Sequence, residues 1–195
     1  MPTPEKTSLI RIVAAGRDLL EAGGQHGLTM QSVAERVGVR APSLYKHVAG
    51  RAALLSAVAE ATVDDLAARL KSTDGSLEEL ARGYRRFARA RPEGFRLMHS
   101  AHVPPEVLAR AASPMLRVCR ELVGEREALE AARLVTAWAT GFVEMELNGA
   151  FRLGGDVDRA FEYGLVGMRR ALTGDHQAPP TRQSPGLHLR DGRLR

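Results

Sequence analysis

In the stretch LTMQSVAERVGVRAPSLYKHV, residues 28–48, Ser43, Tyr45, Lys46 and His47 fall within five positions, with Arg40 before them and Arg51 after. Their hydroxyl, phenol, ammonium, imidazole and guanidinium groups all donate hydrogen bonds. Such groups meet phosphate oxygens or base edges, and the cationic ones add the salt-dependent attraction that dominates affinity for nucleic acid. The same residues could do other chemistry. Ser43 and Lys46 fit an S-x-x-K pattern, in which a lysine activates a serine nucleophile, but the S-D-N and K-T-G companions are missing. His99 and His102 stand three apart and could share a metal, yet no carboxylate or cysteine pattern accompanies them and there is no H-E-x-x-H. Cys119 carries no signature of a catalytic thiol, and no P-loop or G-x-G-x-x-G is present. Catalysis and a cofactor or metal are therefore not expected.

Positioning the donor cluster requires two short helices. Thr29 is a good N-cap, and Leu28 with Val33 forms a hydrophobic staple, so the first helix is expected over residues 29–37. Gly38 ends it in the left-handed conformation, and Pro42 suits the opening of a second helix over about 42–48. Leu44 and Val48, four apart, would dock inward. That leaves Ser43, Lys46 and His47 outward and Tyr45 at the edge. Two turns cannot hold together alone in water, so packing must seat the piece and its outer groups are free for another molecule. Helix, glycine turn and short helix make a helix-turn-helix, whose second member fits the DNA major groove. From Arg36 to Arg51 there are four cations (Arg36, Arg40, Lys46, Arg51) and no acid, a sharper asymmetry than the net +5 of the whole chain. The competing reading of these spacings is a merely solvated surface.

The chain as a whole has 195 residues, 44% of them hydrophobic, enough for a real core. A single cysteine excludes an internal disulfide framework, and no apolar run approaches the length of a signal peptide or a membrane span, so a cytoplasmic location is expected. Apolar residues recur at helical spacing nearly everywhere, for example Leu54, Leu55, Val58, Thr62, Leu66 and Leu70, and the expected fold is all-α with about nine helices. Ser76 with Glu79 reads as a capping box, Asp156 as the cap of a last helix, and Pro92, Pro104, Pro105 and Pro114 as helix starts or kinks. The expected division is a three-helix DNA-binding head over 1–51, a larger helical ligand-binding and dimerisation domain over 52–173, and a flexible tail over 174–195.

The stretch LTMQSVAERVGVRAPSLYKHVAGRAALLSAV resembles the N-terminal DNA-binding domain of the tetracycline-repressor (TetR) family in its Leu-Thr start, Val-Ala, Gly-Val, Leu-Tyr-x-His-Val and basic residue before Leu-Leu. The resemblance implies that Thr29 and Arg51 touch phosphates at either end of the motif, while Arg40, Ala41, Pro42, Ser43, Tyr45, Lys46 and His47 approach bases or backbone. It also implies a homodimer on a double-stranded DNA operator, released by an unidentified small-molecule effector, with no membrane partner. A ligand-independent architectural or partner-recruiting DNA-binding protein is the alternative.

Residues 76–172 resemble the WHG subclass of C-terminal domains, with Thr140, Gly141 and Phe142 where members often show His-Gly-Phe. In a helix over about 126–148, Ala131, Leu134, Val135, Trp138, Phe142 and Met145 form one apolar stripe and Ala139, Val143, Leu147 and Ala150 another, more than a right angle away. One stripe would face the core and the other a partner subunit. Together with a last helix bearing Val157, Phe161, Gly164, Leu165, Met168 and Leu172, this fits a four-helix seam. Tyr84, Phe87, Phe95, Met98, Met115, Trp138, Phe142 and Met145 are candidate pocket lining, with His99 and Glu146 as polar groups. Plain core is the competing reading for each.

Overall fold

A computed structural model describes residues 8–174. Its described residues form nine α-helices: α1 Leu9–Gly27, α2 Met30–Val37, α3 Ala41–Leu44, α4 Arg51–Lys71, α5 Leu77–Ala90, α6 Pro92–Ser100, α7 Pro105–Val123, α8 Ala128–Leu147 and α9 Val157–Thr173. The expected tail lies outside the described residues except for Gly174.

Local chemistry sets most of the boundaries. Ser76 caps α5 by accepting from the Glu79 amide, and Asp156 caps α9 by accepting from the Asp158 and Arg159 amides. Pro92 and Pro105 open α6 and α7, whereas Pro114 lies inside α7. In α1 the chain breaks helical geometry at Gly24 (φ 61°) and turns on to Gly27.

α1 to α3 form a small head. α4 leaves it as a 21-residue rod, α5, α6 and α7 pack against the rod, and α8 and α9 close the body by packing on α5 and α7. One buried apolar cluster runs from Ile12 and Leu20 through Leu44, Leu54 and Leu66 to Phe95, Val118 and Val135, so head and body share a core along α4. Phe161, Leu165 and Ala81 make a second, smaller cluster with Trp138 and Phe142. Trp138 stacks on Phe161 (centroids 5.2 Å apart) and leaves no room for a Cβ on Gly164, which is why α9 can approach α8 this closely.

Asp65 on α4 ties the rod to its neighbours. It accepts from Arg17 of α1 and, at 2.9 Å, from Arg69, with Arg91 at 4.0 Å. Burial works against its ionisation, but the hydrogen bonds and charges of Arg69 and Arg17 outweigh that and hold the carboxyl below its usual 3.8. A carboxyl depressed in the folded state contributes stability above its unfolded pKa and loses it as the pH falls below that value. Asp65→Asn should therefore be less stable at neutral pH, by up to about 1 kcal/mol. In urea titrations the gap to the wild type should close as the pH drops below about 4.

Candidate nucleic-acid interface and effector cavity

Thr29 caps α2 as expected: its hydroxyl accepts from the Ser32 amide at 3.0 Å, and Ser32 Oγ in turn accepts from the Thr29 amide. Gly38 ends α2 in the left-handed region (φ 76°) and donates to the Ala34 and Glu35 carbonyls. Regular helix then covers only Ala41–Leu44, shorter than the expected 42–48. Residues 45–47 continue as a turn in which the His47 and Val48 amides both donate to the Leu44 carbonyl at 2.9 Å. The piece stays short because α4 must start at Arg51, after Gly50 has swung the chain round.

Leu44 is fully buried and Val48 nearly so. Tyr45, at 56% exposed, faces solvent more openly than the expected edge position, Lys46, Arg40 and Pro42 are exposed, and Ser43 and His47, expected outward, are half-buried, as is Ala41. Arg51 has a different neighbourhood. Its Nε donates to the Leu28 carbonyl at 3.0 Å and its Nη2 to the Gln25 carbonyl, so it clamps the start of α4 to the loop before α2. Only its remaining donors are left for a phosphate.

Around the recognition turn the cations are unmatched. Among the described residues Arg36, Arg40 and Lys46 have no ion-pair partner, whereas in the body Arg69, Arg82, Arg85, Arg96, Arg110 and Arg169 are each matched to a carboxylate and Lys71, Arg117, Arg133, Arg152, Arg159 and Arg170 are not. Cations neutralised in place attract a polyanion weakly. The unmatched ones set the field.

The body holds an apolar cavity of about 240 Å³ between α4, α5, α6, α7 and α8, walled by Val63, Leu66, Leu70, Leu80, Met98 and Met115 among others. Tyr84 and His99 supply its polar corner. The Tyr84 hydroxyl lies 3.1 Å from His99 Nε2 and 2.8 Å from Thr140 Oγ1, at the position where the resembling subclass often has histidine. Burial pushes the Tyr84 phenol up to about 12 against the hydrogen bond to Thr140, with the Glu144 charge adding to the rise. Burial also pulls His99 below its usual value, opposed by Glu144. Both groups are neutral near pH 7, so this end of the cavity is polar without being charged.

Of the expected lining, Tyr84, Met98, His99 and Met115 come together here. Phe95 is buried one layer behind, edge-on to Tyr84 and His99, and Phe87 lies under the Arg69 guanidinium. Trp138 and Phe142 pack with Phe161 instead, because the wheel of α8 turns Val135 and Val143 into the main core and Ala139 to the cavity. Met145 is 48% exposed on the outer face. Glu146 belongs to an ion pair: Arg85 donates to its two oxygens at 2.8 and 2.6 Å.

The stripe of α9 is also turned inward, with Phe161, Leu165 and Leu172 buried in the chain's own core. The large apolar groups left open on α8 and α9 are Leu129, Leu134, Met145, Tyr163 and Val166.

Two helices run from cavity to head. α4 begins at the Arg51 clamp and lines the cavity with Val63, Leu66 and Leu70. α6 carries Met98 and His99 into the cavity at one end. At the other, the Glu21 carboxylate of α1 accepts from the Glu93 and Gly94 amides at 3.2 and 2.9 Å. A Cβ at Gly94 would lie 2.9 Å from Glu21 Oε1 and 3.2 Å from Thr62, so a side chain there would displace the Glu21 carboxylate. Sequence reasoning missed Glu21 and Arg85. Their partners are 73 and 61 residues away, and no local pattern marks them.

Residues 12–58 match the family model described as bacterial regulatory proteins, tetR family, and residues 77–168 match the tetracyclin repressor-like C-terminal domain. The chain is 30% identical over 158 residues to the tetracycline repressor protein class A from transposon 1721 of Escherichia coli, spanning 76% of this chain and 73% of that one. A possible TetR family transcriptional regulator from Streptomyces coelicolor superposes with a TM-score of 0.67 at 28% identity, over 85% of this chain and 98% of the other. A TetR variant from Acinetobacter baumannii in complex with minocycline gives 0.63 at 28%, over 82% and 93%.

Proposed function

Because the chain belongs to the tetR family of bacterial regulatory proteins and is a DNA-binding transcriptional regulator, we propose that it is a dimeric repressor released from a palindromic operator by a small, largely apolar effector. The observation that carries the DNA half is the set of unmatched cations, Arg36, Arg40 and Lys46, beside a recognition turn seated by Leu44 and Val48. Arg40, Ala41, Pro42, Ser43, Tyr45, Lys46 and His47 approach the major groove in this reading, and Thr29 and Arg51 flank it on the phosphates. The head over 1–51 is the reader and the body over 52–173 the sensor and dimerisation unit.

Four of the large open groups on α8 and α9 supply the seam, a second copy covering Leu134, Met145, Tyr163 and Val166. Two-fold pairing then puts two recognition turns on one DNA face with half-sites whole helical turns apart. A ligand in the cavity presses on Met98, His99, Leu66 and Leu70, so it acts on the two helices whose other ends are fixed to the head by Glu21 and Arg51. It shifts the spacing of the heads only if it binds the DNA-incompatible form more tightly. No helix among the described residues is long and apolar enough to cross a membrane.

Lys46→Ala tests the interface. Operator affinity should fall, and the slope of log affinity against log salt should drop by about one unit for each phosphate that the protein no longer neutralises. An unchanged affinity in both Lys46→Ala and Tyr45→Ala would reject the assignment.

A further inference from the structure

An apolar groove lined by Ala112, Met115, Leu116, Leu129, Ala132 and Arg133, with Thr136 and Ala137, lies between α7 and α8 on the outside of the body. It is not separate from the cavity. Ala112, Met115 and Thr136 wall both, so the two hollows meet at Met115, the most pliant side chain available to divide them.

The two run in opposite directions along α8. The Tyr84–Thr140 hydrogen bond places the polar corner at the level of residue 140, whereas the groove extends from Thr136 back to Leu129. From Leu129 to Thr140 the helix rises about 16 Å at 1.5 Å per residue. The cavity alone is small. An apolar hole of about 150 Å³ holds one benzene, so 240 Å³ takes on the order of ten non-hydrogen atoms. A longer ligand that continues from the cavity into the groove passes Met115.

The outer end differs in charge from the inner one. Arg133 is exposed at the groove's rim and, among the described residues, has no ion-pair partner. Inside, Tyr84, His99 and Thr140 already satisfy one another, and no charged side chain lines the cavity. The groove residues Leu129 and Thr136 lie more than a right angle around α8 from Leu134 and Met145, and Arg133 lies about 100° from Leu134, whereas Ala137, about 60° from Leu134, borders the seam face. A second copy covering Leu134 and Met145 therefore leaves the Leu129 and Thr136 side of the groove open.

Resting on the reading of this cavity as the effector site, we propose that the effector is a slender amphiphile with an anionic headgroup, a carboxylate or phosphate, held at Arg133, and an unbranched apolar tail that passes Met115 and ends against Tyr84 and His99. A tail placed inward loses its water shell in the enclosed part, while the head keeps its hydration at the rim.

The test is calorimetric titration of the full chain with straight-chain carboxylates from hexanoate to tetradecanoate, and with the matching alcohols. For the wild type, affinity should rise about fourfold per methylene, the equivalent of about 0.8 kcal/mol for each one buried. The carboxylate should bind a few-fold more tightly than the alcohol of the same length, and Arg133→Ala should abolish that difference. Met115→Trp should stop the rise at the chain that fills the groove alone. Ala112→Leu, at an exposed position that tolerates added bulk, should do the same if the tryptophan variant does not fold. Equal chain-length dependence in the plugged variants, or a head preference that survives Arg133→Ala, would overturn the proposal. If adamantanol, a compact probe, binds and releases DNA while no straight-chain acid does, the amphiphile falls and the effector reading stands. If neither class binds, both fall.

Discussion

Arg85→Ala should unfold about 10 °C below the wild type. Arg85 is 7% exposed and lies over the Phe161 ring at 4.7 Å. It grips both oxygens of Glu146 and reaches Asp158 Oδ1 at 2.6 Å, joining α5, α8 and α9. Deleting the buried guanidinium strands the half-buried Glu146 carboxylate, and breaking a buried pair costs about 3–5 kcal/mol. At about 2–4 °C per kcal/mol for a chain of this size, the shift in Tm follows. The pair should not be a large net stabiliser. Desolvating both ions nearly cancels their attraction, so Arg85→Met combined with Glu146→Leu should recover most of the loss. Thermal denaturation of the two variants decides the matter. If the single variant melts within 2 °C of the wild type, Arg85 is not the buried partner of Glu146.

The second large effect is local. Leu44→Ala should reduce operator affinity at least about tenfold, because binding is penalised by the fraction of molecules in which the recognition turn is still seated. Leu44 is fully buried, and α3 has only four residues of regular helix with which to hold itself. Removing a buried leucine costs about 2–5 kcal/mol in general, and here the weakest element yields first. Hydrogen exchange should show it. The His47 and Val48 amides, both bonded to the Leu44 carbonyl, should lose protection while the amides of α4 around Val58 keep theirs. Tyr45→Ala, at an exposed position, should weaken DNA binding without changing the exchange pattern.

The contrast between these two sites also marks what can be read from sequence. Thr29, Gly38, Leu44 and Val48 were legible because each acts within a few residues of itself: a cap, a left-handed stop, and an i, i+4 pair facing inward. The all-helical fold followed from periodicity for the same reason. Arg85 and Glu146 were not legible as partners. A wheel gives the stripes of α8 but not which stripe meets which neighbour. Trp138, Phe142, Met145 and Glu146 thus drew a pocket reading, while the cavity is walled by Val63, Leu66 and Leu70 of α4 and by Met115. Arg51 shows the same limit. Its position in the motif implies a phosphate contact, and only coordinates reveal the carbonyls of Leu28 and Gln25 that it also serves.

Two copies of a turn seated by Leu44 and Val48 should read one duplex through cations with no acid beside them. Enrichment of bound fragments from a random duplex pool by the full chain is the decisive experiment. The expected product is an inverted repeat with half-sites separated by whole helical turns, enriched by the wild type and not by Lys46→Ala. A site with no two-fold symmetry, or an inverted repeat enriched equally by Lys46→Ala and Tyr45→Ala, would rule that assembly out.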